Sequence, residues 1–489
     1  MFLVLFRELS LLAWGLQPQV GMKTNPSITK TNTKTPIMIT NNHPLPTPHP
    51  LSKSKIFQSY VYSYPHKTAY RPISPQKPLT DVWSQEDKNA LFLYIHIPFC
   101  EMRCGFCNLF TTVTHNEDFV TQYVNTLQKQ AKHVKAALGK SSFARLAIGG
   151  GTPTQLPIHH LETVLNVAED TMVANLQSIP ISVEMSPETA TKDKLELLRS
   201  RGVTRASIGV QSFFESEVAA VNRRQTTAEV EAALTRMRAA DFPIINIDLI
   251  YGLPGQTVET WLQSIRAALR FEPEEIFLYP LYVRPLTGLG TSEKEWGDIR
   301  LNCYRQGRDF LLSQGYTQKS MRMFQKNSTP SPLSSPSSLS PIYCCQQDGM
   351  VGLGCGARSY TDELHYSNEY AVGGKGIREI LQGYIQTPED SFDFVNYGFE
   401  LDAEEKRRRY ILLSLLSHEG LNFSNYQTQF NTKALDDFPK LSELFDLNLA
   451  VKDKEILRLT QTGVEYSDAI GEWLFSEKVR GLMQRYELK

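Results

Sequence analysis

Short apolar segments alternate with longer amphipathic ones between residues 91 and 282. Six short segments predict buried strands: LFLYIHIPF, RLAIGGG, ISVEMS, RASIGV, IINIDLI and IFLYPLY, in chain order. The stretches between them, such as FVTQYVNTLQKQAKHVKAAL, have the apolar spacing of helices. This alternation predicts an α/β fold with a parallel sheet and right-handed crossovers. An open doubly wound sheet and a curved barrel both satisfy the pattern, and both place a ligand site at the carboxyl ends of the strands.

The strand–helix region, which we place at residues 85–300, is flanked by segments of different composition. Residues 1–80 are rich in Thr, Asn, Pro and Ser, and predict a disordered basic leader. Within residues 301–395, the run NSTPSPLSSPSSLSP at 327–341 predicts a disordered insert. Residues 396–489 contain helical runs and the segment EILRLTQTG, a small hairpin followed by a helix, which predicts a winged-helix-like domain.

Charge and cysteine usage narrow the possible partners and compartment. Because 51 Lys and Arg balance 52 Asp and Glu, the chain has no general attraction to nucleic acid or anionic membranes. The basic run Lys406–Arg409 follows acidic residues, so we interpret it as a solvated helix face and not as a DNA contact. The opening segment MFLVLFRELSLLAWGL is too short and interrupted to span a bilayer, and a signal peptide is its alternative interpretation. Seven irregularly spaced cysteines favour reduced thiols in a cytoplasmic protein.

Three cysteines stand directly after the first predicted strand, in HIPFCEMRCGFCNLF. Cys100, Cys104 and Cys107 have the spacing C-x3-C-x2-C, so three thiolates can converge on a soft metal centre and leave one coordination position open. One alternative is three unrelated buried thiols. Another is a structural zinc site, with His96 or His115 as the fourth ligand.

The cysteine loop resembles the cluster-binding loop of radical S-adenosylmethionine (SAM) enzymes. The segment YIHIPFC is similar to the corresponding segment in the branch that contains the oxygen-independent coproporphyrinogen III oxidases and the haem chaperones. The resemblance implies a partial (β/α)6 barrel in which three cysteines hold a [4Fe–4S] cluster and SAM chelates the fourth iron. It also implies cleavage of SAM to a 5′-deoxyadenosyl radical, with an electron from a flavodoxin- or ferredoxin-type donor.

Further residues match SAM-contact positions of that family, in chain order. The glycine run GGGTPT follows the second strand, where missing side chains let backbone amides approach a ligand. Individually, each matching residue has an ordinary structural explanation, such as a helix cap or a solvated arginine. The positions that the resemblance assigns to SAM are Tyr94, Gly150, Gly151, Thr152, Glu184, Gln211, Arg223 and Asp248.

The chain departs from both branches of the family. The oxidases carry another cysteine two positions after the third ligand, where this chain has Leu109, and the chaperones commonly have an acidic residue where it has Asn108. We therefore expect a coproporphyrinogen-oxidase-like enzyme, with residues 301–395 on the substrate side, and a haem-binding chaperone as the alternative. His365 is a candidate porphyrin ligand in the second case. The other cysteines lack ferredoxin spacing and are expected to be buried or loop thiols: Cys303, Cys344, Cys345 and Cys355.

Overall fold

A computed structural model of the chain describes residues 49–53, 56–57, 60–61, 63–291, 297–327 and 349–489. Cys344 and Cys345, all but the first residue of the predicted insert, and residues 1–48 of the predicted leader lie outside the described residues. Within the described ranges, no helix is both long enough and apolar enough to cross a membrane.

The described residues form eighteen strands, of which thirteen belong to one sheet. In chain order the strands are β1 Arg71–Pro78, β2 Leu91–Ile97, β3 Phe99–Cys100, β4 Thr112–Val113, β5 Phe143–Gly150, β6 Ile181–Met185, β7 Arg205–Gln211, β8 Ile244–Tyr251, β9 Glu275–Pro280, β10 Tyr316–Gln318, β11 Met323–Lys326, β12 Met350–Leu353, β13 Arg358–Tyr360, β14 Leu364–Ser367, β15 Phe394–Glu400, β16 Leu421–Asn422, β17 Ala450–Asp453 and β18 Ile456–Leu459.

Helices of eight or more residues connect or cover these strands. They are α1 Glu117–Leu138, α2 Ile158–Asn166, α3 Lys192–Ser200, α4 Thr227–Ala239, α5 Val258–Leu269, α6 Arg300–Ser313, α7 Gly374–Ile385, α8 Ala403–Leu415, α9 Phe423–Phe430, α10 Ser467–Leu474 and α11 Glu477–Gln484. Local sequence sets several of their ends. Helix α4, for example, begins at a capping box in which Thr226 and Glu229 bond each other's backbone N–H groups.

The six predicted strands are β2 and β5–β9, and they form five consecutive parallel pairs in that order. Because the order never reverses, right-handed crossovers place the connecting helices on one side, as in a barrel and unlike a doubly wound sheet. Residues of β2 and β8 are buried along their whole length, which is typical of parallel strands covered on both faces. The partial (β/α)6 barrel is thus confirmed. It stays open, because β12 flanks β2 and β11 flanks β9.

The prediction that residues 1–80 are disordered is wrong for the last part of that segment. Residues 71–78 form β1, which pairs antiparallel with β15, Arg71 facing Gly398. Prolines are tolerated there because β1 lies at the sheet edge, where a missing N–H breaks no ladder. Just upstream, the fully buried Tyr64 donates a hydrogen bond to Glu405 of α8. The partners of this segment lie more than 300 residues away, so its own composition does not reveal its order.

The C-terminal residues form a separate core around helices α8–α11 and the three-stranded antiparallel sheet β16–β18–β17. The basic run in α8 is only partly a solvated face, so that prediction needs correction. Arg408 and Arg409 are buried, and Arg409 donates to Asp362 and reaches the His365 ring. The Arg409 side chain crosses the boundary between α8 and the main sheet, whereas Arg408 donates to the Leu474 carbonyl of α10 and to Glu404 of its own helix.

Candidate active site

The cysteine loop lies beyond the carboxyl end of β2 and is fixed from both sides. The N–H of Gly105 donates to the carbonyl of Val221 at 2.7 Å, and its carbonyl accepts from the N–H of Leu289 at 2.8 Å. Within the loop, the N–H of Cys107 donates to the carbonyl of Cys104 at 3.0 Å. The chain therefore holds this polar turn in place with backbone contacts from two other segments.

Each of the three thiols has a polar side chain beside it, and for Cys107 this is Thr111, whose Oγ1 lies 3.6 Å from the sulfur. The Cys100 Sγ accepts from Thr152 Oγ1 at 3.7 Å, and the Cys104 Sγ accepts from Arg223 Nη1 at 3.3 Å. Burial raises the pKa of both thiols, and neighbouring Cys107 adds to the effect. A cation at the site would reverse this preference, because a coordinating thiol is deprotonated by its metal. The donor set therefore fits a metal centre.

The zinc alternative requires several ligands around a single ion. Among the described residues, no three His, Cys, Asp or Glu side chains are grouped so that they could hold one metal ion. The described part of the chain thus supplies no ligand set for the zinc site considered from sequence. A [4Fe–4S] cluster makes a different demand, because its three thiolates bind three separate irons.

A cavity of about 100 Å³ joins the cysteines to residues at the carboxyl ends of β5–β8. It brings together ten of the eleven site residues expected from sequence: Cys100, Cys104, Cys107, Gly150, Gly151, Thr152, Glu184, Gln211, Arg223 and Asp248. Tyr94 does not line it. The Tyr94 hydroxyl instead contacts His96 Nδ1 at 3.0 Å, while His96 Nε2 contacts the carbonyl of Phe110 at 3.0 Å.

That arrangement makes His96 a structural residue. The Phe110 carbonyl can only accept, so Nε2 carries the proton and Nδ1 accepts from the Tyr94 hydroxyl. Burial lowers the pKa of His96 to about 4, so the ring is neutral at physiological pH. The Gly150 backbone, at φ +116°, lies so close that an added Cβ would be 2.5 Å from this ring. His96 therefore supports the glycine run.

Gly151 makes the closest approach between the glycine run and the cysteine loop. A Cβ at Gly151 would lie 2.5 Å from the carbonyl oxygen of Phe99 and 2.9 Å from the Cys100 Sγ. The Gly151 N–H donates to the carbonyl of Ile97, and the Thr152 N–H to that of Phe99, each at 2.7 Å. Only glycine fits at this junction without moving the first cysteine.

Two buried side-chain oxygens in the cavity have no hydrogen-bond partner. Glu184 Oε1 and Gln211 Oε1 are buried without a hydrogen-bond partner, and Gln211 adopts φ +71°. Burial raises the pKa of Glu184 well above its usual range, and it raises the pKa of Asp248 to about 6. Buried groups of this kind are costly unless a ligand satisfies them, so they indicate a polar ligand.

Sequence reasoning missed Gln225, which orients Arg223. The Arg223 Nε donates to Gln225 Oε1 at 2.7 Å, and the Gln225 amide donates to the carbonyl of Val210 at 2.6 Å. Gln225 follows two arginines in a short loop, and no local pattern distinguishes it. Only the fold shows that it ties Arg223, and through it Cys104, to the end of β7.

A larger cavity of about 320 Å³ adjoins the first one. Phe106, Cys107 and Leu109 line both, so the loop that carries the third cysteine is their shared wall. The larger cavity is lined mainly by aromatic and aliphatic side chains, with contributions from the N-terminal segment and from the C-terminal domain. It has the composition of a small-molecule site.

His365 cannot serve as the porphyrin ligand considered from sequence. Its side chain is 0% exposed, and its Nε2 is 3.0 Å from Arg409 Nη1. Because a guanidinium only donates, Nε2 must accept and has no lone pair left for a metal. Burial, and then the charge of Arg409, lowers the pKa of this histidine well below its usual range.

Comparisons with known proteins agree with this geometry. Residues 94–268 match the radical SAM superfamily, and residues 401–466 match the HemN C-terminal domain. The chain is 25% identical to the oxygen-independent coproporphyrinogen III oxidase of Escherichia coli K12, over 83% of this chain and 92% of that protein. It is 33% identical to the heme chaperone HemW of Bacillus subtilis, over 40% of this chain and 51% of that one. The solved structure of the Escherichia coli oxidase has the same fold, with a TM-score of 0.73 and 23% identity. The match covers 88% of this chain and 98% of that one.

The chain is a radical SAM protein, a class that binds a [4Fe–4S] cluster and SAM. Within that class it belongs to the family of the oxygen-independent coproporphyrinogen III oxidases and the haem chaperones. Relatives of both names match the chain, so membership alone does not assign one of the two activities to it.

Proposed function

We propose that the chain is an enzyme that uses its cluster and SAM to abstract hydrogen from an organic substrate held in the larger cavity. The observation that carries the proposal is the shared wall between the two cavities, formed by Phe106, Cys107 and Leu109. A substrate in the larger cavity would lie beside SAM bound at the cysteines. The aromatic surroundings would exclude water, which protects a reactive species from side reactions.

Different residues of the chain would bind the cluster and SAM. The thiols of Cys100, Cys104 and Cys107 would ligate the cluster, and Arg223 would hold the Cys104 sulfur in position. The unpaired oxygens of Glu184 and Gln211 would accept hydrogen bonds from SAM. When bound, the cluster and SAM supply one-electron reductive cleavage of SAM and hydrogen abstraction at carbon.

Coproporphyrinogen III is the substrate that we propose for this site, following the name of the 25%-identical relative. Hydrogen abstraction from each propionate side chain, loss of carbon dioxide and transfer of the remaining electron to a one-electron acceptor would give vinyl groups. The electron would come from a flavodoxin- or ferredoxin-type protein, and the buried thiols suit a reducing compartment such as the cytoplasm.

Haem delivery is the second candidate function, and Leu109 favours it. The oxidases carry a further cysteine at this position, and here an aliphatic side chain lines both cavities instead. A chaperone would retain the cluster and SAM but would not convert porphyrinogen. A relative named heme chaperone HemW, 33% identical over part of the chain, supports keeping this alternative.

The deciding experiment is anaerobic reconstitution with iron and sulfide, followed by reduction and addition of SAM with or without coproporphyrinogen III. Mass spectrometry would follow 5′-deoxyadenosine and vinyl-bearing products. We expect both, and expect neither from Cys104→Ala. The control Cys303→Ala removes a thiol buried in α6, outside the site, and should keep both activities. Deoxyadenosine without a vinyl product would contradict the oxidase and favour haem delivery, which haem binding would then test.

A further inference from the structure

The N-terminal segment forms part of the larger cavity. Tyr60, His66, Lys67 and Thr68 all line it, although they precede the barrel in the chain. The segment is held from outside the cavity, because Tyr64 is anchored on Glu405 of the C-terminal domain and Arg71 begins β1. Residues next to Tyr64 are therefore presented to the cavity from a fixed backbone.

Two basic side chains line this cavity from different parts of the chain. The Lys67 Nζ lies 3.6 Å from the centroid of the Tyr370 ring, and the Arg284 guanidinium lies 5.5 Å from that of Tyr282. Both rings also line the cavity. An aromatic face positions a cation without cancelling its charge.

Few acidic side chains line the cavity itself. Among the described residues that line the cavity, Glu472 is the only carboxylate side chain. Burial holds the pKa of the nearby His66 well below its usual range, and the charges of Lys67, Arg358 and Arg284 lower it further. Positive charge therefore converges on an apolar, aromatic cavity, where it acts more strongly than it would in water.

We propose that Lys67 and Arg284 are specificity-determining residues that bind two separate carboxylates of the substrate. The proposal rests on the proposed function, since it assumes that the larger cavity is the substrate site. It selects substrates that combine a planar or ring-shaped apolar body with at least two carboxylates. The apolar body would pack on Tyr279, Tyr282 and Phe106.

The test measures porphyrin binding to the reconstituted protein by fluorescence, with coproporphyrin III and its uncharged tetramethyl ester as probes. We expect Lys67→Gln and Arg284→Gln each to weaken coproporphyrin III binding about tenfold, as loss of a charge-assisted hydrogen bond does. Lys67→Arg should retain most of the affinity. The ester should bind weakly to every variant. Added salt should weaken coproporphyrin III binding to the unmodified protein more than to Arg284→Gln.

Matched controls carry the same kind of cation on a ring outside the cavity. Lys452 lies 5.1 Å from the Phe423 ring centroid and Arg266 lies 5.3 Å from that of Phe310, so Lys452→Gln and Arg266→Gln should leave binding unchanged. Equal binding of acid and ester, or unchanged affinity in both cavity variants, would overturn the proposal. No binding by the unmodified protein would also overturn it, together with the porphyrinogen substrate. SAM cleavage in the same samples shows separately whether the radical SAM activity holds.

Discussion

Arg322 and Asp468 form a buried ion pair that joins the barrel to the C-terminal domain. The Arg322 Nη2 donates to both carboxylate oxygens of Asp468 at 2.7 Å, and the two side chains are 5% and 2% exposed. The Tyr282 hydroxyl donates to the same carboxylate, and the guanidinium lies 3.8 Å from the Tyr60 ring centroid. Because Tyr60 and Tyr282 line the larger cavity, the pair fixes part of its wall.

Removing one member of the Arg322–Asp468 pair should destabilise the fold. We expect Asp468→Ala to lower the free energy of unfolding by about 3–5 kcal/mol, because it leaves the Arg322 charge buried without its partner. The double variant Arg322→Met with Asp468→Leu should recover most of that loss, since apolar residues replace both charges. Urea denaturation followed by circular dichroism measures both effects.

The control for this prediction is an exposed pair, Lys77 and Glu400, whose Nζ–Oε1 distance is 2.6 Å. Its side chains are 44% and 61% exposed, so Lys77→Met should cost less than about 1 kcal/mol. Equal losses in Lys77→Met and Asp468→Ala would show that the buried pair has no special role.

The first cysteine should be required for the cluster but not for the fold. We expect Cys100→Ala to reduce bound iron and sulfide to background, because one of the three ligands is lost. Circular dichroism should stay unchanged, since the loop keeps its backbone hydrogen bonds to Val221 and Leu289. Loss of soluble Cys100→Ala protein would instead assign this loop a structural role.

Gly151→Ala should disrupt the site by crowding alone. The added methyl would lie 2.5 Å from the Phe99 carbonyl and 2.9 Å from the Cys100 sulfur, so the cysteine loop must move. We expect SAM cleavage to fall at least about tenfold, as a displaced catalytic geometry predicts. Gly383→Ala in α7 is the control, because nothing lies within 4 Å of its added methyl. It should stabilise the helix by about 0.5–1 kcal/mol and keep activity.

Asp248 should make stability depend on pH. Burial raises its pKa from 3.8 to about 6, so between these values the folded state holds a proton that the unfolded state releases. Stability therefore falls as pH rises through this window, and the ionised form remains a cost above it. We expect Asp248→Asn to raise the free energy of unfolding at pH 7.5 by up to about 3 kcal/mol, and by little at pH 4.

Urea denaturation of the cluster-free protein at both pH values tests this expectation. SAM cleavage by the reconstituted Asp248→Asn protein should fall, because the variant loses a carboxylate that lines the SAM cavity. An identical stability change at pH 4 and pH 7.5 would exclude ionisation of Asp248 as its cause.

The sequence by itself determined the six barrel strands, the cysteine loop and most of the cavity around it. These features are local: a strand needs only a short apolar run, and three ligands in eight residues share one turn. The resemblance to radical SAM enzymes indicated the glycine run, Glu184, Gln211 and Asp248, and these meet in the structure because the carboxyl ends of consecutive parallel strands lie at one edge of the sheet.

The tertiary structure alone decided what depends on residues far apart in the chain. The strand order distinguishes the barrel from the doubly wound sheet. Pairing with β15 orders Arg71–Pro78, in a segment whose composition predicts disorder. The same long-range packing buried His365 and brought Lys67 and Arg284 to one cavity. Local patterns cannot specify such contacts, because a partner hundreds of residues away leaves no periodicity in the segment that it orders.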